Sequence, residues 1–242
     1  MAQNQEGFEM LLGFPEWLRG PASIVGGEVV LDEERAERYT PYNMDRTIFE
    51  LAALVQSEDN IGAFVRRYGL LRRGPKLLGT GKCREPVSEW HNAIRGAWVA
   101  VHLYHKLREA AKTGSADPVR ALGINWTQAP ETSTDKEYLA SRSLLLAELT
   151  NDQLRHCPTA LVPAYSSEHG IELGAFVFTS RTPDVLTAAY ADFATLVATR
   201  AELKECPGCG RLFHPKSGKQ KYHDPSCAGS ARWRRWKEKQ TD

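Results

Sequence analysis

The spacing of apolar positions predicts a mainly helical body interrupted by two short β regions. Ser23-Ile24-Val25 and Glu28-Val29-Val30-Leu31 are apolar, β-branched runs on either side of Gly26-Gly27. That pattern predicts a hairpin inside an otherwise irregular stretch, residues 1–44, which the Pro41 region closes. Ile48, Leu51, Ala52 and Val55 recur at helical steps over Asp45–Gln56, and Ile61, Phe64, Val65 and Tyr68 do so over Asn60–Tyr68. Gly69 supplies the stop of the second helix. A Gly- and Lys-rich loop, residues 70–84, follows. From Pro86 to about Lys112 a long helix carries Val87, Trp90, Ile94, Ala97, Val101 and Tyr104 as its buried stripe. Gly114 ends it, and residues 115–133 predict loop or short strand. Asp135–His156 is again helical.

The period then changes from that of a helix to that of strands. Thr159–Ser166 and Ile171–Thr179 predict two strands around Ser167-Glu168-His169-Gly170. Pro183-Asp184 opens an alanine-, leucine- and valine-rich helix with little charge before Arg200, which leads into Cys206. The lack of charge predicts that this helix is buried. The expected fold is α+β: an α-rich body with a small β hairpin or sheet over about residues 1–200, then a C-terminal module from about 201 to 242.

That module carries the clearest chemistry. Cys206-Pro-Gly-Cys209 is followed by His223-x3-Cys227. A Cys-x2-Cys turn aims two thiolates at one ion. A His and a Cys four apart can reach the same ion from the first turn of a helix. Three thiolates and an imidazole complete a tetrahedron, so the expected ligand is one structural zinc ion with no open position. His214 competes with His223 for the fourth place; His223 is preferred because it pairs with Cys227 as a second half-site. The arrangement predicts a treble-clef-like or knuckle-type finger that presents a basic helix. The other two cysteines, Cys83 and Cys157, read as ordinary scatter.

Charge sharpens this picture. The chain has 242 residues and a net charge of +1. Residues 206–240 hold nine Lys or Arg against Asp224 and Glu238, whereas residues 1–205 hold 22 basic and 27 acidic residues. A cationic tail on a mildly acidic body points to a polyanionic partner. Lys219, Lys221, Arg232, Arg234, Arg235, Lys237 and Lys239 are the candidate nucleic-acid contacts. Trp233 and Trp236 can stack on bases or pack over the metal site, which otherwise has little core; packing is the favoured reading. The N-terminus lacks the form of a signal peptide. No apolar run approaches the roughly 18 residues of a membrane span. A reducing cytoplasm is the expected compartment, where clustered cysteines bind metal more often than they pair.

The segment CPGCGRLFHPKSGKQKYHDPSCAGSARWRRWKEK resembles the CGNR-type zinc finger of bacterial proteins. Phe213 fills that family's aromatic slot, and Lys216, Lys219 and Lys221 its basic stretch. Tyr222-His223 takes the place of an aromatic-Cys pair, and Cys227 opens the Arg-rich helix. Two departures stand out: the third ligand is His rather than Cys, and the namesake Cys-Gly-Asn-Arg reads Cys227-Ala228-Gly229-Ser230. The passages NIGAFVRRYGLL at 60–71 and EPVSEWHNAIRGAW at 85–98 are similar to the helical region that precedes such fingers. The family is regarded as one of transcriptional regulators, so the resemblance implies DNA binding.

Other constellations carry less. Gly79-Thr80-Gly81-Lys82-Cys83 lacks the first glycine and the last hydroxyl of a phosphate loop. His91, His102 and His105 share one side of the long helix, with Glu85 or Glu89 near them, and read as a polar face rather than a catalytic metal site. No nucleophile elbow or carboxylate pair stands out, so the sequence favours a binding protein over an enzyme. The first expectation is a zinc-dependent regulator that binds duplex DNA. The alternatives are an RNA-binding zinc knuckle and a structural or protein-interaction finger, which would dock its basic helix on the acidic body. One module offers few contacts, so useful affinity points to a homodimer or a further surface.

Overall fold

The computed structural model describes residues 17–39, 46–56, 60–72, 83–124, 134–155, 157, 159–166, 170–180, 182 and 184–241. The side chains of 159–180, 235, 238, 239 and 241 are not among those described. The Pro41 region, the Gly79–Lys82 segment, residues 125–133 and His156 also lie outside the described residues.

The fold is α+β. The described residues of 1–42, 61–90 and 153–191 form one compact unit, and those of 43–60, 91–152 and 192–242 form the other. Unit one begins with β1 (Trp17–Arg19), β2 (Ala22–Val25), β3 (Glu28–Leu31) and β4 (Glu37–Tyr39). The Gly-Gly hairpin forms in the expected register, with Val25 opposite Glu28 and Ala22 opposite Leu31. Gly26 and Gly27 have φ of 60° and 79°, which glycine adopts without a Cβ penalty. Strand β5 (Arg84–Pro86) extends this sheet in the order β2-β3-β5. Strands β1 and β4 pair antiparallel, Trp17 opposite Tyr39.

Helix α2 (Ile61–Tyr68) packs on β1 and β2 and buries the predicted Ile61, Phe64, Val65 and Tyr68. Trp90 is fully buried, edge-on to Phe64 with centroids 5.7 Å apart. Gly69, at φ 86°, stands where a Cβ would strike the Leu18 carbonyl. Glu85 is a buried carboxylate that accepts the N–H groups of Leu71 (2.9 Å) and Arg72 (2.6 Å). Those bonds offset its desolvation. Strands β6 (Thr159–Ser166) and β7 (Gly170–Ser180) form an antiparallel pair with a register shift between Pro163 and Tyr165.

Unit two contains α1 (Thr47–Ala53), most of α3 (Val87–Thr113), the short α4 (Asp117–Arg120), nearly all of α5 (Asp135–Leu154) and the end of α6 (Val185–Ala198). Its core gathers Ile48 and Leu51 of α1, Ile94, Ala97, Val101 and Tyr104 of α3, and Phe193 of α6. The α3 stripe is therefore buried as its spacing requires from Trp90 to Tyr104, while Val87 is half-buried. Helix α6 ends earlier than its composition suggests. Arg200 takes φ 55°, and Tyr104 Oη donates to the carbonyl of Ala201 at 2.7 Å, holding the turn that leads to the finger. No described helix is long and apolar enough to cross a membrane.

Candidate metal centre and basic helix

The finger is built on a short hairpin whose two strands are two residues each. Strands β8 (Lys204–Glu205) and β9 (Leu212–Phe213) pair, Lys204 opposite Phe213. Cys206 N–H donates to the Arg211 carbonyl at 2.9 Å, and Gly210 N–H to the Cys206 carbonyl at 2.8 Å, closing the knuckle. Gly210 has φ 73°. A Cβ on Gly208 would sit 3.3 Å from the Cβ and carbonyl of Cys227, so the bare backbone here lets the two half-sites approach.

The second half-site comes from the start of α7 (Pro225–Thr241). Asp224 caps it, accepting the Ser226 N–H at 2.7 Å, and Pro225 takes the first helical position. Hydrogen bonds from the Ser226 hydroxyl and then the Ser226 N–H hold the Asp224 carboxyl below its ordinary pKa. Cys227 then falls in the first turn, and His223 just before the cap.

The ligand atoms of Cys206, Cys209, His223 and Cys227 all lie within 4.8 Å of one another. This Cys3His group can hold a metal ion. His223, not His214, completes it: His223 Nδ1 is 3.5 Å from Cys209 Sγ, while His214 Nδ1 is 3.1 Å from the Glu202 carbonyl. Burial pushes the Cys206 thiol up, but hydrogen bonds from the His223 ring, the His223 and Gly208 backbone and the Cys209 thiol outweigh it and bring its pKa to about 6. Burial, then the neighbouring sulfurs of Cys209 and Cys206, push Cys227 up to about 11. Binding of a cation requires thiolates, so loading this site releases protons.

Around the group, Leu203, Cys206, Leu212 and Phe213 are buried. The Phe213 and His223 rings lie 6.4 Å apart. Gly210, Arg211 and Leu212 of the knuckle line a concavity with Trp98 and His102 of α3 and Phe49 of α1. The knuckle is thus seated against the helices of its own unit.

Helix α7 is different. Arg232, Trp233, Arg234, Trp236 and Lys237 are exposed, as are Lys219 and Lys221 in the preceding loop. The side chains of Arg235 and Lys239 lie outside the described residues. Trp233 and Trp236 are each 59% exposed. Packing over the metal site, the reading favoured from sequence, is not what they do. Arg234 has a role that spacing did not reveal: its guanidinium donates to the Gly208 carbonyl at 3.1 Å, tying the helix to the knuckle.

The histidines of α3 are occupied locally. The His102 ring stacks on Trp98, centroids 4.3 Å apart, and its Nδ1 lies 2.8 Å from the Trp98 carbonyl. His105 Nε2 lies 3.1 Å from Glu109 Oε1. Burial lowers the pKa of both rings. Among the described residues, His91, His102 and His105 belong to no group of metal-ligand geometry.

No family model matches this chain, and no curated protein does either.

Proposed function

We propose that the C-terminal module is a zinc-dependent DNA-binding finger and that the chain acts as a transcriptional regulator. One observation carries this reading: a Cys3His group opens a helix on which Arg232, Arg234 and Lys237 are exposed. Three thiolates and an imidazole in a closed set suit zinc, which needs no ligand-field geometry and takes soft and borderline donors. Zinc there would be structural. It would set the angle at which α7 leaves the knuckle, while Arg234 reinforces that angle through Gly208.

The exposure of Arg232, Arg234 and Lys237 supports a binding role over a purely structural finger. Lys219, Lys221, Arg232, Lys237 and the remaining guanidinium N–H groups of Arg234 would meet phosphates, with Arg235 and Lys239 assigned by helix position alone. Phosphate contacts position a protein, and any base specificity would come from an arginine in a groove. The similarity to CGNR-type fingers supports the same reading.

The test is duplex binding by the full chain with and without chelator across a salt series. If about five cations engage phosphate, log K should fall with log salt at a slope of roughly −4 to −5. Chelation should abolish binding although the charge of the chain is unchanged. Binding that survives chelation would reduce the tail to a loose polycation. No binding at low salt would sink the reading.

A further inference from the structure

The two exposed tryptophans of α7 have a stereochemical arrangement that the phosphate contacts do not use. At about 100° per residue, Trp233 and Trp236 lie roughly 60° apart on the helix surface. Their common face is about 150° round the helix from Cys227. The metal side is occupied by Cys227 and by Arg234, seven residues later, which bonds Gly208. The opposite side carries the indoles.

Three further observations describe that face. Gly229 lies on it, one turn before Trp233, and the place its side chain would fill is open. On the Gly229 side of the indoles the helix therefore presents bare backbone. Lys237 Nζ stands 5.4 Å from the Trp233 centroid, so a cation adjoins the aromatic surface. Arg232 is exposed on the other flank.

Charge decides what this face fits. Residues 225–241 hold Arg232, Arg234, Arg235, Lys237 and Lys239 against Glu238. A second copy of the helix would set two strongly cationic surfaces together, which like-charge repulsion opposes. A neutral apolar partner would desolvate the flanking cations without pairing them. A polynucleotide strand supplies both complements: phosphates for the cations and flat base faces for the indoles. In an intact duplex those faces are covered by the neighbouring bases. We propose that Trp233 and Trp236 form a stacking platform for unpaired bases, so that the finger prefers single-stranded or locally opened DNA to closed duplex. This rests on the DNA-binding reading above and specifies its substrate.

The test is equilibrium binding of labelled oligonucleotides to the zinc-loaded full chain, followed by fluorescence anisotropy at fixed salt. Four ligands are compared: oligothymidylate, an abasic deoxyribose-phosphate strand of equal length, a duplex and oligouridylate. Oligothymidylate should bind at least about tenfold tighter than the abasic strand, which keeps the phosphates and lacks the bases. Trp233→Ala and Trp236→Ala should each weaken oligothymidylate binding roughly tenfold and leave abasic binding unchanged. Trp233→Phe should retain most of the affinity. Both side chains are exposed, so the variants should keep one zinc per chain, which elemental analysis checks. Equal affinity for the thymidylate and abasic strands, or equal losses on both in the alanine variants, would overturn the platform while leaving phosphate-driven DNA binding intact. Failure of every ligand at low salt, duplex included, would overturn both. Tighter binding to oligouridylate would overturn the assignment to DNA, and displacement by polyglutamate at lower concentration than by oligothymidylate would assign the face to an acidic protein instead.

Discussion

Trp90 and Trp236 show two ways of using one residue type. Trp90 sits at 0% exposure against Phe64, in a region where strands and helices close over an apolar interior. Trp236 stands 59% exposed on a helix whose opposite side is tied to a Cys3His group. The first region contains Val29, Leu31, Ile61, Val65, Leu71 and Leu186, all buried. Among its described residues, the finger, 201–242, buries only Leu203, Cys206, Leu212 and Phe213. A fold with so little apolar interior needs another source of cohesion, and a metal held by the Cys3His group would supply it. The difference teaches that the finger can leave its aromatic surface in solvent because its cohesion does not depend on burying it.

The largest predicted effect would break that comparison outright. Cys227→Ser, or chelation, should unfold the 201–242 segment, because metal binding contributes on the order of 10 kcal/mol to folding in small fingers. The region around Trp90 should remain folded. His223→Ala should weaken metal retention far more than His214→Ala, since His214 faces the Glu202 carbonyl. Elemental analysis together with hydrogen exchange resolved by segment would report both. Loss of protection throughout the chain would show that the two regions do not stand independently.

The converse substitution has a smaller effect. Trp90→Ala should cost about 3–5 kcal/mol through lost burial and a cavity, with one metal ion per chain retained under native conditions. A chemical denaturation series read beside metal content would check it, and a loss of metal without global unfolding would count against the contrast. Smaller still is Asp184→Ala. Asp184 Oδ1 accepts the Thr187 N–H at 2.7 Å at the start of α6, in the first region, so its loss should cost about 1 kcal/mol. The midpoint should shift slightly and metal affinity should not move.

Much of this was legible because the signals were periodic or local. The Gly26-Gly27 hairpin, the α3 stripe and the Cys-x2-Cys knuckle each depend on residues close in sequence. Strands β1 and β4 did not announce themselves: each is three residues long, and they pair across the intervening hairpin. Their reason for pairing is tertiary. Helix α4 passed unnoticed because four residues cannot display a period. The outward face of Trp233 and Trp236 was within reach, since the angle between either residue and Cys227 follows from counting along the helix. The bond from Arg234 to Gly208 was not, because it depends on how the loop between the half-sites returns the chain to the knuckle. Glu85 gave no hint either; its buried position answers two N–H groups that lie well before it in sequence.

The position of the metal group at one end of α7 gives the helix an electrical polarity. Three thiolates and a neutral imidazole around a divalent ion would leave about one negative charge, lodged at the end where the helix dipole is positive. The first basic residue of α7 is Arg232, five residues after Cys227, and the last is Lys239. At 1.5 Å of rise per residue, the cations begin roughly 7 Å beyond the cluster and extend to roughly 18 Å. A polyanion approaching by diffusion would meet the densest run of cations along the distal turns of α7. Its first encounters would therefore be oriented before any contact forms, with the strand guided toward the distal turns that carry the indoles.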